Sequence, residues 1–397
     1  MLSTDSDWPA QESRYYHQAF TRAPLTIVRG AGTRVWDEAG NEYLDFVAGI
    51  AVNTLGHADP EIAAAISEQA GTLVHMSNLF YTVPQLEVAR RLVELSDLDR
   101  VFFVNSGGEA TETCVKIARK WGRQNRNGAY GVITTERGFH GRSLAMTAAT
   151  GTRAYQEPFD PMPAGFSQVP FNDLGALRDA IDDTTAAIML EPVQAEGGVW
   201  LAEPAYARGV RDLCDEFGLL LIFDEVQTGV GRTGTLFGYE QLGVTPDLMA
   251  LAKGLGGGLP IGAALSTERC SVLRPGDHGS TFSGNPLVCA AARVVLDRVS
   301  APEFLAEVRR KGSLLADGLR EIASAGSKIV DVRGLGLLLG LQLASLELAD
   351  QVIGHARDHG VLLIKVAPDT IRLVPPLTVS DAELATCLDV IETALRA

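Results

Sequence analysis

The sequence predicts an α/β protein: a large domain built on a mostly parallel sheet covered by helices, followed by a smaller α+β domain. Three observations carry this. Short continuous apolar runs alternate with amphipathic stretches: RVFFVNS (100–106), GVITTE (131–136), AAIMLEP (186–192), LLLIFDE (219–225) and DLMALAK (247–253). Uninterrupted apolar strands between helices are what a sheet buried on both faces requires. From about residue 290 the pattern changes. CAAARVVLDRVS and PEFLAEVRRKGSLLADGLREIAS read as long helices, and they precede the shorter strands IVDVRGLGLLLGLQL, VLLIKV and IRLV. Finally, 397 residues at 46% hydrophobic give enough chain for two domains and a substantial core. The expected division is an N-terminal arm and part of the small domain over 1–49, the large domain over 50–290, and the rest of the small domain over 291–397.

The elements follow in order. Residues 1 to about 32 read as an arm with helical tendency that closes in the turn RGAG. GTRVWDEAGNEYLDF reads as two short strands around Glu38-Ala39-Gly40-Asn41, a hairpin signal. DPEIAAAISEQA offers Asp59 as N-cap and Pro60 at the first helical position, ahead of periodic apolar residues. Further helices are expected after Gly108, Leu174 and Pro204.

Composition excludes several functions. A formal net charge of −15 argues against nonspecific binding to nucleic acid. No apolar run reaches membrane-spanning length, because charges or glycines interrupt each one. The N-terminal stretch is polar and acidic, unlike a secretory signal. Cys114, Cys214, Cys270, Cys289 and Cys387 lie far apart without metal-type spacing. They read as reduced thiols of a cytoplasmic protein, and no metal is expected.

The chemistry concentrates in 218–263, GLLLIFDEVQTGVGRTGTLFGYEQLGVTPDLMALAKGLGGGLPIGA. Asp224 ends one apolar strand, where the sites of α/β folds collect. Lys253 follows another and precedes a glycine-rich turn. A carboxylate able to hold a pyridinium and an amine able to form an imine are what pyridoxal phosphate asks of a protein. A desolvated lysine has a lowered pKa and becomes a usable nucleophile and proton carrier. The choice is narrow, because the lysines are Lys116, Lys120, Lys253, Lys311, Lys328 and Lys365. Lys365, inside VLLIKVAP, reads as a strand residue snorkelling outward. Ser106-Gly107-Gly108 turns a strand directly into an amphipathic helix, and the N–H groups at such a start bind anions. Such turns are also common as tight turns alone. GVGRTG (229–234) satisfies the dinucleotide pattern G-x-G-x-x-G. The helix opening and downstream acid of that motif are missing, so no nicotinamide site is expected.

Together these stretches, in this order from about Val28 to Leu377, resemble the class III, ornithine-type aminotransferases. The resemblance implies a fold-type-I pyridoxal phosphate transferase with 50–290 as the cofactor-binding domain. It implies that Lys253 carries the cofactor and Asp224 faces its ring nitrogen. Val226 would pack on one ring face, Phe139 on the other, and Gln227 would bond the phenolic oxygen. Ser106, Gly107 and Gly108 would cradle the phosphate, although the family has threonine or alanine where Gly108 stands. Ser280 and Thr281 resemble an element that reaches a partner subunit's cofactor phosphate, so a homodimer with shared sites is implied. In Phe139-His140-Gly141-Arg142 the arginine would fork onto a substrate carboxylate. Arg372 would take the α-carboxylate of glutamate, and Glu196 would hold Arg372 aside for the other substrate. Glu225 reads as structural.

Within the family, IAVNTLGHADPEI, MSNLFYTVPQ and LAKGLGGGLPIGA are similar to the acetylornithine group. The reaction implied moves the terminal amino group of N-acetyl-L-ornithine to 2-oxoglutarate. Phe20 stands for a common tyrosine, Ile364-Lys365-Val366 for an asparagine-containing stretch, Ala195 and Ser283 for glycines. The first two departures could touch the acyl end of the substrate, and succinylornithine, carrier-protein-bound lysine, ornithine and 4-aminobutyrate stay open as donors. A pyridoxal phosphate aminomutase and a non-enzymatic paralogue are the readings from other classes. The Arg372–Glu196 pair and the retained lysine argue against them.

Overall fold

A computed structural model describes residues 7–326 and 328–396. Residues 1–6 of the expected arm lie outside it. The arm begins with the helix Trp8–Tyr15, capped by Asp7, whose Oδ1 accepts from the Ala10 N–H at 3.1 Å. It continues into β1 (Ile27–Ala31), which pairs antiparallel with β2 (Arg34–Asp37). The expected RGAG turn is therefore mostly strand. The β-branched Thr26-Ile27-Val28 run favours extension, and the hairpin supplies an edge to pair with. β2 and β3 (Glu42–Asp45) form the predicted hairpin. Asp37 fixes its turn by accepting from the Asn41 N–H at 2.8 Å and the Tyr43 hydroxyl at 3.0 Å.

The large sheet uses β4 (Arg100–Val104), β5 (Gly131–Thr135), β6 (Phe166–Val169) and β7 (Thr185–Leu190). After the short pair β8 (Val193–Gln194) and β9 (Trp200–Leu201) come β10 (Leu220–Asp224), β11 (Leu248–Leu251) and β12 (Gly262–Ser266). The seven strands run in the order β4-β12-β11-β10-β7-β5-β6. All pairings are parallel except those of β12, which is antiparallel to both neighbours. Every residue of β7, β10, β11 and β12 is buried, which is why these strands read as unbroken apolar runs.

The second unit carries β13 (Ile329–Leu335), β14 (Leu338–Leu343), β15 (Val361–Leu362), β16 (Ile364–Ala367) and β17 (Thr370–Leu373). VLLIKV is not one strand. Its first part, β15, pairs parallel with β3, while β16 pairs with β17 in a separate sheet ordered β13-β14-β17-β16. Leu44 and Phe46 share a core with Leu341, Val361, Leu384 and Ile391, so both ends of the chain build this unit. Its helices Leu346–Asp358 and Asp381–Arg396 were not read from the sequence. Val295, Leu296 and Val299, on the helix Pro286–Val299, pack in the core of the large sheet. We accordingly place the domain division after that helix rather than at 290. No described helix is long and apolar enough to cross a membrane.

Candidate active site

A cavity of about 330 Å³ opens at the carboxyl ends of β4, β7, β10 and β11. Parallel strands end together there, so side chains just beyond them converge although they are far apart in sequence. Ser106, Gly107, Gly108, Phe139, Glu196, Asp224, Val226, Gln227 and Lys253 of the expected set line it.

Lys253 follows β11 at the head of a short 3-10 turn, with a left-handed φ of 39°. Such a conformation costs roughly 1–3 kcal/mol and is kept where the surroundings impose it. Here Thr54 Oγ1 ties the turn down by donating to the Gly254 carbonyl at 3.0 Å. The lysine Nζ lies 3.7 Å from Glu196 Oε1. Burial pushes its pKa down to about 8, although the Glu196 charge pulls the other way.

Asp224, the last residue of β10, is 4% exposed. Its Oδ2 lies 2.8 Å from His140 Nδ1, and its Oδ1 accepts from the Val226 N–H at 3.0 Å. The carboxylate is thus aimed by two partners. Glu225, next along the chain, points the other way. It accepts from the Thr228 hydroxyl and the Gly238 and Tyr239 N–H groups at 2.6–2.7 Å, a structural role. Burial raises its pKa to about 7.

Ser106 caps the helix Gly107–Asn125, its Oγ accepting from the Glu109 N–H at 3.2 Å. That leaves the first N–H groups of the helix, at Gly107 and Gly108, without intrahelical partners. Glycine is required at 107 by close approach: a Cβ there would come 2.6 Å from Val226 Cγ1. Gln227 donates to Glu196 Oε1 at 3.0 Å, while its own amide oxygen is buried without a partner. A desolvated amine, an aimed carboxylate, free helix-start donors and an orphaned amide oxygen form a donor set that fits pyridoxal phosphate.

Arg372, on β17 of the small domain, is fully buried. Its Nη1 lies 2.5 Å from Glu196 Oε1 and donates to the Ala195 carbonyl at 3.3 Å, while its Nε and Nη2 have no partner. Burial pushes the Glu196 carboxyl up, but Arg372 and Lys253 outweigh it and hold the group at about 2. The Glu196 carboxyl is therefore ionised throughout any working pH range.

Neither Arg372 nor the remaining expected residues line this cavity directly, although Arg142 follows Gly141, which does. Arg142 is exposed, its guanidinium 3.9 Å from the Tyr155 ring centroid and 5.4 Å from that of Phe139. Ser280 Oγ accepts from Asn105 at 2.8 Å, and Thr281 is exposed. Lys365 lies on β16 and pairs with Asp350 at 2.6 Å. Two residues gain weight from the structure. His140 orients Asp224, and Glu191 lines the cavity and accepts from the Phe139 N–H at 2.9 Å. Burial, and then the Asp224 charge, push Glu191 well above the ordinary carboxyl range. Its signal was present in the sequence, since it ends an apolar strand just as Asp224 does.

The chain is similar to known proteins along nearly its whole length. The family model "Aminotransferase class-III" matches residues 15–395. The acetylornithine aminotransferase of Caldanaerobacter subterraneus subsp. tengcongensis is 48% identical over 97% of this chain and 98% of that protein. The ornithine aminotransferase of Toxoplasma gondii superposes with a TM-score of 0.95 at 33% identity, covering 100% of this chain and 96% of the other. The N-acetylornithine aminotransferase of Stenotrophomonas maltophilia gives 0.83 at 40% identity over 98% of each chain. With the family pattern matched almost end to end, and a half-buried lysine and a buried carboxylate around one cavity, the chain belongs to the class III aminotransferases.

Proposed function

We propose that this protein transfers the terminal amino group of N-acetyl-L-ornithine to 2-oxoglutarate, giving N-acetyl-L-glutamate 5-semialdehyde and L-glutamate. The observation that carries this is the ionised Glu196–Arg372 pair beside Lys253, at 2.5 and 3.7 Å from one Glu196 oxygen. It lets one cavity accept two unlike substrates. Pyridoxal 5'-phosphate, when bound, supplies a carbonyl for imine exchange and a ring that withdraws electrons from the carbon losing its proton. This chain's own residues do the rest. Lys253 Nζ would hold the cofactor and would carry the proton taken from the substrate carbon. Asp224, held by His140, would keep the ring nitrogen protonated. Ser106, Gly107 and Gly108 would hold the phosphate, Phe139 and Val226 would enclose the ring, and Gln227 would bond its phenolic oxygen. Arg142 holds the distal carboxylate of either substrate. Arg372 takes the α-carboxylate of glutamate and is covered by Glu196 when acetylornithine is bound.

A competition assay with 2-oxoglutarate fixed tests the donor. Acetylornithine is expected to exceed free ornithine, lysine and 4-aminobutyrate in kcat/KM by about tenfold or more. Succinylornithine measures the tolerance at the acyl end. A preference for free ornithine or 4-aminobutyrate would overturn the donor while leaving the transferase chemistry in place.

The active form is a homodimer with shared sites. Thr281 borders a shallow groove with Asn78 and Leu79, outside its own chain's cavity. Around it stand Leu79, Tyr81 and Val83, exposed at 85%, 95% and 69%, with Phe282 at 63%. So many exposed large apolar side chains in one stretch mark a surface that a partner covers. Sedimentation of the active enzyme is expected to give a dimer, and an active monomer would remove the shared-site assignment.

A further inference from the structure

The stretch Gly229–Gly234, whose glycines imitate a dinucleotide motif, takes no part in the cavity. It is instead a close joint between the two domains. The Leu337 N–H donates to the Arg232 carbonyl at 3.1 Å. A Cβ on Gly336 would come 2.5 Å from the Thr233 carbonyl carbon, so the turn between β13 and β14 rests directly on the loop. The Arg232 side chain, 2% exposed, enters this joint. Its Nη1 donates to the Leu337 carbonyl at 2.9 Å and to the Pro375 carbonyl at 2.6 Å. Leu337 leads into β14 and Pro375 follows β17. These strands are antiparallel neighbours, with Arg372 opposite Gly340. One guanidinium therefore fastens the strand that carries Arg372, and its neighbour β14, to the domain that carries Lys253 and Glu196.

Charge adds a second argument. Among the described residues no carboxylate forms an ion pair with Arg232, and its Nη2 is buried without a partner. Burial first, and then the like charge of Arg372, push its pKa down to about 9. Two buried guanidiniums thus have one ion-paired carboxylate, Glu196, between them. A further carboxylate entering this low-dielectric space meets an excess of positive charge.

We propose that Arg232 is a positioning residue for Arg372 and biases the site toward the substrate that brings an α-carboxylate to it. The inference rests on the assignment of Arg372 to that carboxylate. With the amino donor bound, Glu196 already balances Arg372. With glutamate or 2-oxoglutarate bound, a second negative charge is added, and it is this state that the Arg232 charge stabilises.

The test is steady-state kinetics of the holoenzyme with Arg232→Gln and Arg232→Lys. For Arg232→Gln, KM for 2-oxoglutarate and glutamate is expected to rise about tenfold more than KM for the amino donor, with kcat less affected. Arg232→Lys keeps the charge and is expected to recover most of that selectivity while lowering Tm through lost carbonyl bonds. Equal losses toward both substrates in Arg232→Gln would make Arg232 a mere domain joint and overturn the proposal, as would a selective loss in Arg232→Lys as large as that in Arg232→Gln. If the glutamine variant does not fold, Arg232→Met, which also removes the charge, decides by the same comparison. Arg372→Lys separates the two levels. If it raises KM for 2-oxoglutarate selectively while the Arg232 variants do not, only the Arg232 inference fails. If it leaves that KM unchanged, the Arg372 assignment itself fails.

Discussion

Replacing Lys253 by alanine is expected to abolish the visible absorbance of lysine-bound cofactor and to lower kcat by at least about 10³-fold, the loss of both a covalent partner and a proton carrier. The turn that presents Lys253 is held by backbone and Thr54 contacts rather than by its amine, so the variant should fold. An unchanged band with full turnover would remove Lys253 from the mechanism. The wild-type protein carries a companion expectation in pH. The neutral amine is the nucleophile, and burial lowers its pKa from 10.5 to about 8. Uptake of pyridoxal phosphate by the stripped protein should therefore accelerate roughly tenfold per pH unit below that value and level off above it. A rise that continues toward 10.5 would mean that the amine is not desolvated as the cavity requires.

The second large effect concerns Asp224. Asp224→Asn preserves the size of the side chain and a polar contact with His140, but it removes the charge proposed to face the ring nitrogen. The expected loss in kcat is about 10²–10³-fold, the scale of a preorganised charge acting on the transition state in a dry site. Cofactor retention and circular dichroism should change little, because the phosphate turn and the buried strands around β10 are untouched. A kcat within a fewfold of wild type would show that the ring nitrogen needs no carboxylate here. His140→Asn should show a smaller effect of the same kind, since it acts on the reaction only through Asp224.

The sequence by itself determined β4, β5, β7, β10 and β11 of the large sheet and the ends at which chemistry collects, but not β6, β12 or the helices Leu346–Asp358 and Asp381–Arg396. β7, β10 and β11 were legible because burial on both faces demands unbroken apolar runs, which no loop or surface helix shows. Asp224 and Lys253 were legible because a polar group directly after such a run has one place to be, the carboxyl end of the sheet. Tertiary structure decided what local pattern does not encode. The splitting of VLLIKV between two sheets depends on which edges are free to pair, and β3 offers one to β15. The packing of Val295 and Val299 into the core they share with the large sheet depends on which apolar face lies nearest, not on the helical period that both domains share. His140 became a site residue only when separate strand ends met, since its partner Asp224 stands far from it in sequence. The glycines of 229–234 matched a phosphate-binding pattern, yet they serve the close approach of Gly336. A sequence shows where the backbone needs room, and the fold decides what fills it.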